Sequence, residues 1–206
     1  MKKLLVATTN VGKLKEISNF LSDLPLKIIS LTDIGITDDA IEDGETYEEN
    51  SRIKALFYAK KSGLPTIADD GGIEINALRG APGINSKRWL GKNSTEQGIV
   101  NHMIKVAKEL PRDNRKAFFK TVISFALPNN KIWSASGKAE GIIAEKPYLK
   151  LLKGYPYRSF FYLPKIKKYY HEDQLTERQQ KEYNHRYKAI QKLEPIIKQE
   201  LRINYD

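Results

Sequence analysis

Apolar and polar positions follow two periods along this chain, and the switches between them predict its elements. Leu4-Leu5-Val6-Ala7 is an unbroken apolar run of the kind that forms a strand buried on both faces. A polar turn, Thr8-Thr9-Asn10-Val11-Gly12-Lys13, leads into Leu14, Ile17, Phe20 and Leu21 at helical spacing. Residues 27–31 predict a second strand, and the acidic stretch 37–44, with Asp38, Asp39, Glu42 and Asp43, predicts a loop. Thr46 and Glu49 have the spacing of a capping box, opening a helix through Ile53, Leu56 and Ala59 that stops at Gly63. A further apolar run, 65–68, delivers Asp69-Asp70 onto Gly71-Gly72, where a buried strand is expected to end. Ser94-Thr95-Glu96-Gln97 predicts another capping box, ahead of Ile99, Met103, Val106 and Leu110. Residues 116–127 and 132–136, joined by Pro128-Asn129-Asn130-Lys131, predict a hairpin to which no chemistry is assigned. Residues 176–201 predict one helix bent at Pro195, with Ala189, Leu193, Ile196, Ile197 and Leu201 inward. Alternation early and a hairpin later make this an α/β chain with a mixed central sheet.

Composition narrows the setting more than the function. A chain of 206 residues, 40% hydrophobic and 29% charged, suits one soluble domain, at most with two lobes. No apolar run reaches membrane-spanning length, and Leu4 to Ala7 gives way too soon to polar residues for a secretion signal, so a cytoplasmic protein is expected. The absence of cysteine excludes disulfides, thiolate ligands and a cysteine nucleophile, which leaves oxygen or histidine to hold any metal. The net charge of +10 lies largely around Lys146, Lys150, Lys153, Arg158, Lys165, Lys167 and Lys168. It suits nucleic acid, nucleotide phosphates or simply a solvated lysine-rich surface.

Candidate chemistry begins at the first strand-to-helix turn. Such a turn presents backbone N–H groups and a positive dipole end, and Lys13 is disfavoured there unless an anion is also present. The spacing is not that of a Walker A loop, and an ordinary turn is the alternative. Asn50 and Lys54, one turn apart, share a helix face that either is a solvated polar stripe or projects toward Asp69-Asp70 to receive a polyphosphate. The Asp-Asp-Gly-Gly stretch itself suggests metal–phosphate chemistry, with a plain turn as its alternative. Between Tyr148 and Tyr170, tyrosines and phenylalanines interleave with lysines, which suits stacking on a base or a basic sheet rim. His185 alone is ambiguous, since a single histidine is more often structural than catalytic.

Taken in order, these signals resemble a known family. Thr8-x-Asn10-x-x-Lys13-x-x-Glu16, Glu42-x-Gly44-x-Thr46-Tyr47-x-x-Asn50-x-x-x-Lys54-Ala55, Ala68-Asp69-Asp70-x-Gly72-Ile73-Glu74, Ala77-Leu78-x-Gly80-Ala81-Pro82-Gly83 and His185-Arg186 are similar to the motifs of the inosine triphosphate pyrophosphatase, or Ham1, family. The resemblance implies a mixed, twisted α/β sheet flanked by helices in one two-lobed domain over 1–206, with the active site in the cleft between lobes, usually in a homodimer. It implies Mg2+-dependent hydrolysis of non-standard purine nucleoside triphosphates (ITP, dITP, XTP) to the monophosphate and pyrophosphate. Asp70 is implied as catalytic base and, with Glu42, as metal ligand. Thr8, Asn10, Lys13, Lys54 and Arg186 are implied at the phosphates, and Arg88 is either a further phosphate contact or a dimer-surface arginine. Gly71, Tyr155, Tyr157, Arg158, Gln180 and His185 are implied near the base.

Three departures fall on the base side. Gly71 stands where the family has serine, Tyr155-Pro156-Tyr157-Arg158 where it has Phe-Gly-Tyr-Asp, and Gln180 where it has lysine unless a one-residue gap restores Lys181. A guanidinium in place of a carboxylate exchanges an acceptor for a donor, so the preferred base is expected to differ from the family's. A nucleotide sensor without turnover is the alternative activity, and nucleic-acid binding is the weakest reading.

Overall fold

The computed structural model describes residues 1–203. The first apolar run forms β1 (Lys2–Val6), the turn after it opens α1 (Val11–Phe20), and β2 (Leu26–Ser30) follows. The predicted capping box is present: Thr46 accepts from the Glu49 backbone and Glu49 reaches back to the cap, starting α2 (Tyr47–Ser62), which ends on Gly63 at positive φ. Then come β3 (Thr66–Ile75), α3 (Glu96–Glu109), β4 (Lys116–Ala126), β5 (Ile132–Ile143), β6 (Phe161–Leu163), β7 (Lys168–Tyr169), α4 (Glu177–Tyr183) and α5 (His185–Glu200).

The strands form one open, twisted sheet in the order β2-β1-β3-β4-β5-β6-β7. β1 pairs in parallel with β2 and β3, whereas β6 pairs antiparallel with β5 and β7, so the sheet is mixed as expected. The chain divides into two compact units. The first holds residues 1–70, 121–137 and 185 onward, and the second holds 71–120 and 138–184, with the boundaries falling inside β3, β4 and β5.

In the first unit the period of two explains the core. Leu4, Val6 and Ile67 pack with Ile17, Leu21, Ile190, Leu193 and Ile197 of α1 and α5. Their neighbours Leu5, Ala7 and Ala68 pack with Ala55, Tyr58 and Ala59 of α2. Both faces of β1 and β3 are therefore covered, which is why these strands read as unbroken apolar runs. In the second unit Ile73, Ile75, Ala117, Phe119, Ala139, Ile143, Phe161 and Leu163 meet Ile99, Met103 and Val106 of α3.

Four local expectations are corrected. β3 does not end at Gly71-Gly72 but continues to Ile75, and neither glycine has a positive φ. A Cβ on Gly72 would collide with the Gly83 carbonyl and the Ser86 hydroxyl, so this glycine permits close approach rather than a turn. Ser86 uses that proximity to accept the Ile73 N–H at 2.9 Å. α3 is capped by Thr95 alone, because the residue whose N–H it binds is Gly98, which has no side chain to reach back. β5 runs on to Ile143, past Gly137 and Gly141, which break its apolar pattern but admit close neighbours. The last helix is interrupted at Asn184, in extended conformation, and passes through Pro195.

Candidate active site

The alternation that builds the first core continues past its last apolar pair. Ile67 and Ala68 face opposite sides of β3, and the next pair, Asp69 and Asp70, inherits those directions. Asp69 meets α1 and α5, and Asp70 meets α2.

On the α2 side, Lys54 links the two carboxylates expected to hold metal. Its ammonium lies 2.9 Å from Glu42 and 3.5 Å from Asp70, and donates to the Asp69 carbonyl at 2.8 Å. Asn50 accepts the Gly44 N–H at 2.9 Å and approaches Asp70 with its amide nitrogen at 3.5 Å, tying the Glu42 loop to the strand. Burial pushes the Asp70 carboxyl above its ordinary value, with Lys54 and Lys13 only partly offsetting it. Burial alone would lower Lys54, but Asp70 and Glu42 overcome that and raise it.

On the α1 side, Asn10 caps the helix by accepting the Lys13 N–H at 3.0 Å, and Thr8 accepts the Asn10 N–H at 3.2 Å. The anion that Lys13 requires in this first turn is supplied by the chain: its ammonium is 2.6 Å from the Asp69 carboxylate. Arg186, the second residue of α5, also binds Asp69, at 3.1 Å, and binds Glu16 at 3.0 Å. Thr121 of β4 donates to the Asp69 carboxylate, with the Asp70 carbonyl 3.0 Å away as a further acceptor. Burial acts to raise the Asp69 carboxyl, yet Arg186 and Lys13 together hold it far below the usual range. Lys13 has less compensation: burial lowers it, and Asp69 offsets this only in part because Arg186 and Lys54 act in the same direction as burial.

Thus Thr8, Asn10, Lys13, Glu42, Lys54, Asp70, His185 and Arg186 lie in the first unit. His185 is buried, and Arg186 is engaged by carboxylates. Thr121 gave no signal, being one hydroxyl in a β-branched strand. Glu16 is legible in the sequence only as a motif position without an assigned role, whereas Asn50, which the sequence places with Lys54 on one helix face, does approach Asp70.

The remaining candidates belong to the second unit. Arg88 is exposed at the end of a 3-10 segment, Gly83–Arg88, and Gly71 lies in β3. Tyr157 is buried and donates its hydroxyl to the Ser86 carbonyl at 2.6 Å, and burial raises its pKa. Arg158 is only 4% exposed, and its guanidinium lies 3.9 Å from the Tyr155 ring and 4.7 Å from the Tyr170 ring. Gln180 and Lys181 are neighbours on α4, where Lys181 pairs with Glu177 at 3.7 Å.

The donor set around Lys54 has a definite character. Glu42 and Asp70 are hard oxygen donors, and no group of three or more His, Asp or Glu side chains converges among the described residues. Mg2+ suits such a pair, since it binds through one or two carboxylates and keeps waters or phosphate oxygens elsewhere. Carboxylates also outnumber cations here: Glu16, Glu42, Asp69 and Asp70 face Lys13, Lys54 and Arg186. A divalent cation would reverse that balance in favour of a polyphosphate.

An open mixed sheet that gathers carboxylates and lysines at one strand position defines an α/β protein equipped for an anion and its counter-cation. The chain belongs to the Ham1 family, whose model matches residues 4–196. It is 37% identical over 195 residues to the dITP/XTP pyrophosphatase of Thermoanaerobacter pseudethanolicus, covering 95% of this chain and 96% of that one. It is 36% identical over 197 residues to the dITP/XTP pyrophosphatase of Escherichia coli K12, covering 94% and 96% respectively. A HAM1 protein from Coxiella burnetii superposes with a TM-score of 0.80 at 33% identity, covering 97% of this chain and all of that one.

Proposed function

We propose that this protein hydrolyses non-standard purine nucleoside triphosphates, in ribo or deoxy form, to the monophosphate and pyrophosphate with Mg2+. The observation that carries the reading is the pair Glu42 and Asp70 joined through Lys54, with Lys13 at the adjoining helix start. The relatives named dITP/XTP pyrophosphatases support it. Glu42 and Asp70 would hold the metal, which when bound supplies positive charge to the phosphate oxygens.

Asp70 takes a proton from the water whose oxygen attacks the α-phosphorus. The α–β bridging bond breaks, and its electrons leave with pyrophosphate. Without the metal, burial raises the Asp70 carboxyl and makes it a stronger base than an ordinary aspartate. Lys54 and Lys13 offset the departing charge, while Thr8 and Asn10 frame the helix start that faces it. Arg186 in the first unit and Arg88 in the second are further phosphate candidates, and Gly71, Tyr155, Tyr157, Arg158 and Gln180 of the second unit and His185 of the first are the candidates for the base. The partner in the assembly is a second copy of this chain, in the cytoplasm.

A panel of standard and modified triphosphates with pyrophosphate detection tests the reading. Release of pyrophosphate from ITP, dITP or XTP, abolished by EDTA, is expected. Release of orthophosphate would refute the bond assignment, and binding without release would leave a nucleotide sensor. Within the panel, Arg158→Asp is expected to change the rank order of bases; an unchanged order removes Arg158 from base selection.

Lys13 gives a pH signature. Its pKa is lowered in the free protein, so kcat/KM should fall on an alkaline limb below the ordinary lysine value as the ammonium loses its proton. Bound triphosphate raises that pKa, so the limb in kcat should lie higher. Lys13→Arg cannot lose its proton in this range and should show no such limb. An identical limb in that variant would assign the titration elsewhere.

A further inference from the structure

We propose that Asp69 is a positioning residue, one that holds both site lysines in place: Lys13 through its carboxylate and Lys54 through its backbone carbonyl. This rests on the assignment of those lysines to the phosphates. The two contacts measure 2.6 and 2.8 Å, and they emerge on opposite sides of β3 because the strand sends the carboxylate toward α1 and α5 while its carbonyl meets Lys54 from α2.

The carboxylate is rigidly based. Its side chain has no solvent exposure, and Arg186 and Thr121 fix the oxygen that Lys13 does not use. Lys13, by contrast, keeps 19% of its side chain exposed, so Asp69 holds it from the buried side. Arg186 has a second carboxylate in Glu16, whereas Asp69 is the carboxylate that offsets Lys13 in a helix turn where a cation is disfavoured. Asp69 also precedes Asp70 directly, so its anchoring sets the strand from which that carboxylate projects. With Asp69 neutral, Lys13 and Arg186 would repel across a buried gap and Lys13 would lose its aim.

The test is a double-mutant cycle between Asp69→Asn and Lys13→Met, read in kcat and KM with the best triphosphate. Asparagine keeps the shape and an acceptor for Thr121 but removes the charge. In the single Asp69→Asn variant kcat is expected to fall about a hundredfold, the scale of a misplaced catalytic contact. KM should stay unchanged or fall, because Lys13 no longer has an internal anion. In the Lys13→Met background the same change should lower kcat by less than about threefold, since coupled residues do not add. A single variant within about threefold of wild type, a loss carried by KM, or additive losses would each overturn the proposal.

Should Asp69→Asn alone not fold, the double variant decides. It removes one carboxylate and one cation together and leaves Arg186 paired with Glu16. It is expected to fold with the kcat of Lys13→Met; a double variant that does not fold, or falls further, assigns Asp69 to the fold alone and overturns the proposal. A wild-type protein that released no pyrophosphate from any triphosphate would refute triphosphate hydrolysis as its function instead. The cycle would then be read in calorimetric affinity for inorganic tripolyphosphate, where coupled effects support Asp69 as a positioning residue and additive effects overturn it.

Discussion

Asp70→Asn should lower the rate of pyrophosphate release by about 1,000-fold or more, on the order of 4 kcal/mol of barrier, without lowering the melting temperature. Both halves follow from one environment. Burial raises the Asp70 carboxyl, so in the folded state its ionised form is disfavoured relative to the unfolded chain. At pH values above the folded pKa that ionised group opposes folding, and a neutral amide removes the opposition. Lys54 would still hold Glu42 at 2.9 Å and the Asp69 carbonyl at 2.8 Å, so no buried cation is orphaned. Activity and stability should therefore separate, as they do where a strained group is retained for chemistry. Measuring pyrophosphate release beside a thermal melt checks both, and a variant that melts far below wild type would show that Asp70 supports the fold.

Asp69 should behave in the opposite sense. Its carboxyl lies far below the ordinary value, so it stabilises the fold above the unfolded pKa, and that contribution is lost as pH falls through the folded pKa. Two adjacent aspartates thus have opposite energetics because the pleat sends one to a pair of cations and buries the other beside a lysine that it shares with Glu42. No local pattern distinguishes them. What the sequence does carry is the period of two that separates them, readable already in Leu4 to Ala7 and in Ile67-Ala68.

The same contrast runs through the fold. The Thr46–Glu49 capping box and the stop at Gly63 were legible because both ends of a helix are closed by residues within one turn of it. The continuation of β3 through Gly71-Gly72 was not, because its cause lies more than ten residues away at Gly83 and Ser86. Arg186 could be matched to a phosphate motif from sequence, whereas its bond to Asp69 joins residues 117 positions apart and leaves no periodic trace. Asn10 could be placed at an anion-binding turn, but its side-chain oxygen caps the Lys13 N–H, one of the donors that such an anion would use. Site positions carried by short motifs were therefore readable, and the partners that orient them were not.

Gly137→Ala should destabilise the protein by about 3 kcal/mol, the upper range for overpacking a filled interior. A Cβ at this position in β5 would collide with the His185 carbonyl and come within 3.0 Å of the Ala189 nitrogen. Both obstacles are backbone of α5, so no side chain can turn away to relieve them. For a chain of this length the melting temperature should fall by roughly 10 °C. Gly141→Ala offers a matched comparison in the second unit, where a Cβ would lie 2.5 Å from the Tyr162 carbonyl. Its stability should fall comparably, but the two variants should differ in catalysis measured well below their melting temperatures. His185 precedes Arg186, and any shift of that first turn of α5 moves the guanidinium that grips Asp69 and, through it, Lys13. Gly137→Ala should therefore lower kcat, while Gly141→Ala should leave it near wild type. Equal kcat values in the two variants would separate the start of α5 from the chemistry at Asp70.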